Sequence, residues 1–235
     1  MNIIITGASS GIGYETALHF SREKRHKVIA ISRNKDKLDG LLDAAKIVNP
    51  NCNLIPLVYD ISIPNDKNEL FLLAKKEMSN VDILINNAGV LINKPFRELT
   101  IADFEMIYNT NVFGVVKTIQ TLLPMMGKPA SHIVNIGSIG GVEGSMKFKG
   151  LSAYSSSKGA LAILTECLAE EFKDLNISVN YLALGSVKTE MFSAAFPEAK
   201  AQVKPQDMAK YIADFALNGF HFMNGKIVQV SKSTP

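Results

Sequence analysis

Tyr154 and Lys158 stand four residues apart in Tyr154-Ser155-Ser156-Ser157-Lys158. On a helix, that spacing puts both side chains on one face. A phenol beside an ammonium can act as an acid and a base, because the cation favours phenolate and lowers the tyrosine pKa. Such a pair can exchange a proton with a reacting oxygen near neutral pH. Alone, the spacing is a poor signal, because many helices carry it on a solvated face. Two further residues bear on it. Ser138, in Ile136-Gly137-Ser138-Ile139-Gly140, closes an apolar run at 133–136, where its hydroxyl can polarise a carbonyl oxygen. Asn111, in Asn109-Thr110-Asn111-Val112, falls inside a predicted helix. A buried amide there can anchor water and connect Lys158 to solvent, or it can serve helix packing and local backbone bonding.

A second constellation lies near the N-terminus. Residues 2–6 are a short apolar run leading into Thr6-Gly7-Ala8-Ser9-Ser10-Gly11-Ile12-Gly13, and helical periodicity follows at once. Glycines allow a tight turn and close backbone approach to a pyrophosphate. The helix N-terminus adds free N–H groups and a favourable dipole. The spacing is Gly-x3-Gly-x-Gly rather than Gly-x-Gly-x2-Gly. A loop that merely needs glycine is the alternative, but the placement between first strand and first helix favours a dinucleotide. Gly7, Ser9, Ser10, Gly11, Ile12 and Gly13 are therefore candidate cofactor contacts.

The second strand ends at Ser32-Arg33. An acidic residue near this point would accept hydrogen bonds from a ribose 2′-hydroxyl. Here the position holds Ser32, and Arg33 can bind a 2′-phosphate through charge-assisted contacts. NADP(H) is thus expected ahead of NAD(H), against the alternative of a solvated loop arginine. Asp60 and Ile61 follow the third strand, with Asp60 placed to hold an adenine amino group. Asn87, Ala88 and Gly89 follow the fourth, at the strand-end edge where open parallel sheets bind ligands.

These groups need a scaffold, and hydrophobic periodicity supplies it. Buried-strand patterns occur at 2–6, 27–32, 54–59, 81–85, 133–136, 177–184 and 226–230. Helical patterns occupy 11–23, 35–48, 65–79, 101–123, 153–173 and 206–217, with Pro124 near one helix end. The strands are mostly continuous apolar runs, so helices should cover both faces. Alternating strand and helix gives an α/β fold with a doubly wound parallel sheet. No Pro/Gly/Ser-rich linker or internal repeat divides residues 1–235, which predicts one domain.

Composition narrows the classes. The 235 residues include 25 basic and 22 acidic ones, scattered rather than blocked, so no nucleic-acid partner is expected. Two cysteines, Cys52 and Cys167, and four dispersed histidines argue against a disulfide scaffold or a metal site. No apolar run reaches membrane-spanning length and no secretory leader is evident, which predicts a cytoplasmic protein without a membrane partner.

The Gly-rich turn, Asn86-Asn87-Ala88-Gly89, Asn111, Ser138 and Tyr154-x3-Lys158 occur in this order. Together they resemble the short-chain dehydrogenase/reductase family from Thr6 through Thr189, and more loosely to Val230. The resemblance implies a Rossmann-type sheet of about seven strands and a catalytic tetrad of Asn111, Ser138, Tyr154 and Lys158. It also implies a second role for Lys158 on the nicotinamide ribose, and contact of Tyr154, Gly185, Val187 and Thr189 with the nicotinamide end. In the implied reaction Tyr154 protonates a carbonyl oxygen held by Ser138. Homodimers or homotetramers, often joined by the helix at 153–173, are common in the family.

Two departures stand out. Leu184-Gly185 replaces the family's usual Pro-Gly, which can alter the turn beside nicotinamide. The interval from Ser138 to Tyr154 is longer than usual, with the extra residues in 140–150. Residues 188–204 form a short lid. Leu91, Ile92, Val142, Met146, Phe148, Met191, Phe192 and Phe196 are candidate walls of an apolar pocket, and Glu143 can select a polar group or face water. The expected substrate is a small ketone, diketone or aldehyde, with alcohol oxidation as the reverse. The alternatives are a 3-oxoacyl-carrier-protein reductase, an alcohol dehydrogenase, or a non-catalytic NADP(H) sensor.

Overall fold

Strand β1 (Asn2–Thr6) carries Ile3, Ile4 and Ile5, all fully buried. Successive strand side chains point to opposite faces, so the run must be covered on both sides. Ile3 and Ile5 join one core with helices α1 (Gly11–Phe20), α2 (Lys35–Val48) and α8 (Pro205–Asn218). Ile4 joins the opposite core with α3 (Lys67–Glu77), α5 (Gly114–Leu122) and α6 (Ser152–Glu171). The computed structural model describes residues 1–63 and 67–232.

The other strands are β2 (Lys27–Ser32), β3 (Asn53–Val58), β4 (Ile83–Asn86), β5 (Ser131–Ser138), β6 (Ile177–Leu184) and β7 (Ile227–Val230). All pair in parallel, in the order β3-β2-β1-β4-β5-β6-β7. This is the expected α/β, doubly wound Rossmann-type sheet. The chain reverses direction across the sheet between β1 and β4, which opens a crevice at their carboxyl ends.

One expected helix is interrupted. The helix expected over 101–123 is broken into α4 (Ile101–Tyr108), a π-helical turn (Asn109–Phe113) and α5. The Gly114 N–H donates to the Asn109 carbonyl, five residues back. Such turns are local expansions of a helix. Here the expanded turn carries Asn111, whose buried amide is fastened outside the helix to Val90 and Ser157. Helix α3 begins at Lys67, and the expected start at 65–66 lies outside the described residues. The expected lid contains a short helix, α7 (Glu190–Ala195), and is tied at its base by a bridge between Val187 and Val203.

Buried polar side chains register α6 on the sheet. Asn86 Nδ2 donates to Asn135 Oδ1 at 2.9 Å, and Asn135 Nδ2 donates to Thr165 Oγ1 at 2.9 Å. On β5, the ring of His132 is fully buried. Its Nδ1 lies 3.0 Å from the Ala216 carbonyl and its Nε2 lies 3.0 Å from Asn180 Nδ2. The first contact needs a ring donor and the second a ring acceptor, so the partners select one neutral tautomer. Burial lowers the His132 pKa to about 4, against a smaller opposing effect of the Ala216 carbonyl. Below the unfolded pKa of about 6.5 the unfolded chain takes up a proton that the folded chain refuses. Stability from this residue is therefore full above pH ~6.5 and is lost as pH falls towards about 4. The expected loss is roughly 3 kcal/mol. Urea unfolding between those limits should show a shallower pH dependence for His132→Gln than for the wild type; identical slopes would rule this contribution out.

Candidate active site

The crevice begins where β1 gives way to α1. Gly7 has φ of +70° and Gly11 has φ of +57°, conformations that favour glycine. At Gly13 a Cβ would lie 2.3 Å from the Gly7 carbonyl oxygen, so the strand–turn–helix corner closes only with glycine there. Gly13 itself does not line the crevice. Its tight packing brings the helix end close to the strand. Ser10 occupies the N-cap of α1 but makes no side-chain capping bond. The first N–H groups of that helix, together with the crevice-lining Gly7, Ser9, Gly11 and Ile12, form a cradle that suits a pyrophosphate.

Asn87 braces this turn. Its Nδ2 donates to the Thr6 and Gly7 carbonyls at 3.2 and 3.1 Å. Thr6 Oγ1 accepts from the Asn87 and Ala88 N–H groups at 3.2 and 3.1 Å. The ends of β1 and β4 are thereby locked side by side, with Asn87, Ala88 and Gly89 facing the crevice.

Ser32, Arg33, Asp60 and Ile61 line the far end. Arg33 is largely exposed and places Nη1 3.7 Å from Asp60 Oδ2. Burial opposes ionisation of Asp60, but hydrogen bonds from the Ser62 hydroxyl and N–H, with help from Arg33, prevail and hold its carboxyl below the ordinary value. No carboxylate stands at Ser32. Lys37, in the first turn of α2, also lines this end and reaches Glu190 of α7 at 3.2 Å. Sequence reasoning missed Lys37, although a second cation in the first turn of the helix that follows Arg33 was a usable signal. It had no signal for the partner on the lid.

At the other end, β5 delivers Ser138 and the first turns of α6 deliver Tyr154 and Lys158. Lys158 is 4% exposed, and its Nζ donates to the Ile136 carbonyl at 2.8 Å. The Nζ lies 5.9 Å from the Tyr154 ring centroid. Burial lowers the Lys158 pKa to about 8. Burial raises the Tyr154 pKa to about 12, against the opposing pull of a hydrogen bond with the Ser138 hydroxyl. The expected lowering of this phenol by Lys158 is thus corrected. Desolvation dominates, and the Lys158 ammonium is engaged by a backbone carbonyl.

Asn111 is fully buried and does not line the crevice. Its Oδ1 accepts from the Val90 N–H at 2.9 Å, and its Nδ2 donates to the Val90 carbonyl and to Ser157 Oγ, each at 3.0 Å. It therefore ties the loop after β4 to α6, one residue before Lys158. Ser157 was not singled out from sequence.

Gly185, Val187 and Thr189 line the crevice beyond β6, and Thr189 Oγ1 caps α7 by accepting from the Phe192 N–H at 3.2 Å. A Cβ on Gly11 would come within 3.3 Å of Thr189 Cγ2, so the lid base touches the glycine turn. Leu184 keeps the strand pairing on both sides, opposite Ser138 and Val230, and is buried in the core. The sheet accommodates this leucine without a break in pairing. Leu91, Phe148, Met191, Phe192 and Phe196 line the apolar part of the crevice, whose volume is about 510 Å³. Ile92, Val142, Met146 and Glu143 do not line it. Val142 and Glu143 instead border a separate groove beside α6, because the turn after β5 carries them over the outer face of that helix.

Fold and crevice together define a Rossmann-type oxidoreductase. The chain belongs to the short chain dehydrogenase family, whose model matches residues 1–200. It is 30% identical over 212 residues to an uncharacterised oxidoreductase of Staphylococcus aureus strain N315, covering 89% of this chain and 87% of that protein. It is 31% identical over 186 residues to the ketoacyl reductase HetN of Nostoc sp., covering 79% of this chain and 63% of HetN. Among solved structures, a short chain dehydrogenase from Shigella flexneri 2a complexed with NADP superposes with a TM-score of 0.87 at 25% identity, covering 97% of this chain and 95% of that one. Levodione reductase superposes at 0.86 with 23% identity, covering 98% and 95%, and shares the fold. Among the described residues, no helix is long and apolar enough to cross a membrane.

Proposed function

We propose that this chain reduces a small, uncharged ketone, diketone or aldehyde with NADP(H), and that oxidation of the alcohol is the reverse reaction. The observation that carries this reading is the convergence of Ser138, Tyr154 and Lys158 where the crevice wall turns apolar. When bound, NADP(H) supplies the hydride for reduction. The chain's own residues bind, orient and move the proton. Gly7, Ser9, Ser10, Gly11 and Ile12 would hold the pyrophosphate, and Arg33 the 2′-phosphate beside Ser32. Asp60 and Ile61 would take the adenine, Asn87, Ala88 and Gly89 the ribose side, and Gly185, Val187 and Thr189 the carboxamide.

The Ser138 hydroxyl would donate a hydrogen bond to the substrate oxygen, and Tyr154 Oη would pass its proton to that oxygen. A phenol held at about 12 is protonated at neutral pH, the form that reduction requires. Lys158 would hold the nicotinamide ribose. Asn111 would support a relay water behind Lys158.

NADP(H) is favoured over NAD(H) by the cation at Arg33 and the absence of a carboxylate at Ser32. The charged side chains lining the crevice are Arg33, Lys37, Asp60, Lys158 and Glu190. Lys158 is thus the cation at the reacting end, and it is already bonded to the Ile136 carbonyl. This disfavours a substrate with a fixed negative group there. A 3-oxoacyl substrate is the second reading, favoured by the similarity to HetN.

The test is a panel of ketones, diketones, aldehydes and 3-oxoacyl thioesters, followed by NADPH absorbance. Turnover of the thioesters alone would select the second reading. No turnover of any member with either NADPH or NADH would sink both and leave a dinucleotide-binding protein without catalysis. We further propose a cytoplasmic homodimer or homotetramer. The exposed Ile163 on α6, in a groove with Gly159 and Ala162, supports assembly through that helix, and a monomeric mass on sedimentation would refute it.

A further inference from the structure

We infer that Tyr181, a residue outside the crevice, is the positioning residue that fixes Ser138 against the first turns of α6. Tyr181 sits on β6 opposite Asn135 and is fully buried. Its phenol runs along the sheet beneath Gly137. A Cβ on Gly137 would fall 1.7 Å from Tyr181 Cζ and 2.0 Å from its hydroxyl oxygen, so Gly137 and Tyr181 are a matched pair. Glycine on β5 makes the space that the phenol on β6 fills.

The hydroxyl makes two bonds that join separate elements. It accepts from the Ser138 N–H at 3.0 Å and donates to the Lys158 carbonyl at 3.1 Å, with the Ser138 carbonyl at 3.5 Å as the longer alternative. One oxygen thereby connects the backbones of two residues that both line the crevice. The connection matters because β5 outruns its neighbour. Pairing with β4 ends at Asn135, and Ser138 lies three residues beyond, held through the sheet by β6 alone. A strand end supported on one side has greater freedom, and the phenol removes it. Burial pushes the Tyr181 pKa up, so the group stays protonated and donates throughout. It does not face the crevice and takes no part in proton transfer.

The inference rests on the carbonyl-reduction reading for its kinetic consequence, but not for the clamp itself. Tyr181→Phe keeps the ring in its space and removes only the hydroxyl. Using NADPH and the best carbonyl of the panel, kcat should fall about 10- to 100-fold, because small misplacements of reacting groups are costly. The KM for NADPH should stay within about twofold, and the pH profile of kcat should shift as Ser138 moves relative to Tyr154. Residue-resolved hydrogen exchange should be slow at the Ser138 amide of the wild type and faster in the variant.

An unchanged kcat and pH profile would overturn the positioning role. So would a loss of activity that merely follows weakened NADPH binding, with the profile unmoved. Rapid exchange at Ser138 in the wild type would overturn the clamp whether or not the variant folds. Wild-type protein that turns over no carbonyl would sink the reductase reading, and the Ser138 exchange rates would still decide the clamp.

Discussion

Tyr154→Phe should lower kcat for carbonyl reduction by about 10³-fold, the scale of a lost general acid. NADPH affinity should change by no more than about twofold, since the ring and its packing are kept. The reasoning is geometric before it is electrostatic. The phenol and the Ser138 hydroxyl both line the crevice at its apolar end, and burial of the phenol keeps the proton on oxygen at neutral pH. Phenylalanine offers no proton, and a water admitted to the same place would have to be oriented by Ser138 alone. Single-turnover measurement with saturating NADPH separates chemistry from product release. A variant that retains wild-type single-turnover rates would remove Tyr154 from the mechanism. A variant that fails to bind NADPH would instead give the residue a structural role.

Arg33→Asp should invert the cofactor preference. A guanidinium can give one or two charge-assisted hydrogen bonds to a 2′-phosphate, each contributing about 1.5–3 kcal/mol. Losing them corresponds to roughly 10²-fold or more in kcat/KM for NADPH, because ~1.4 kcal/mol is tenfold. The introduced carboxylate adds repulsion toward the phosphate and offers an acceptor to a 2′-hydroxyl, so efficiency with NADH should hold or rise. The Arg33–Asp60 contact is no obstacle to this role. At 3.7 Å, with Arg33 largely exposed, it is a weak pair that orients the cation without trapping it. Lys37 stands nearby but is engaged with Glu190, so it should compensate only partly. Steady-state efficiencies with both cofactors, measured on wild type and variant, decide the matter. An unchanged NADPH-to-NADH ratio would show that Arg33 does not read the phosphate.

Much of the architecture was legible because its signals are local. Runs such as Ile3-Ile4-Ile5 bury both faces of a strand wherever they lie, and the Gly-rich turn falls between the first strand pattern and the first helix pattern. Parallel alternation of strand and helix then leaves few topologies. Tyr154, Lys158 and Ser138 were legible for the same reason: a four-residue helical spacing and a strand terminus place them at one sheet edge. What the sequence could not carry was anything that depends on depth or on distant partners. The phenol of Tyr154 was expected to be acidified by Lys158, yet its pKa rises with burial while Lys158 Nζ turns to the Ile136 carbonyl. The packing role of Gly13 shows only in the folded corner, where a Cβ would stand 2.3 Å from the Gly7 carbonyl oxygen. Asn111 is held by Val90 and Ser157, across 21 and 46 residues of chain, within a π turn that periodicity reads as plain helix. Tyr181 and Gly137 carry no motif at all. Their pairing exists only once β5 and β6 lie side by side, since steric fit and desolvation are properties of the packed interior and not of residue spacing.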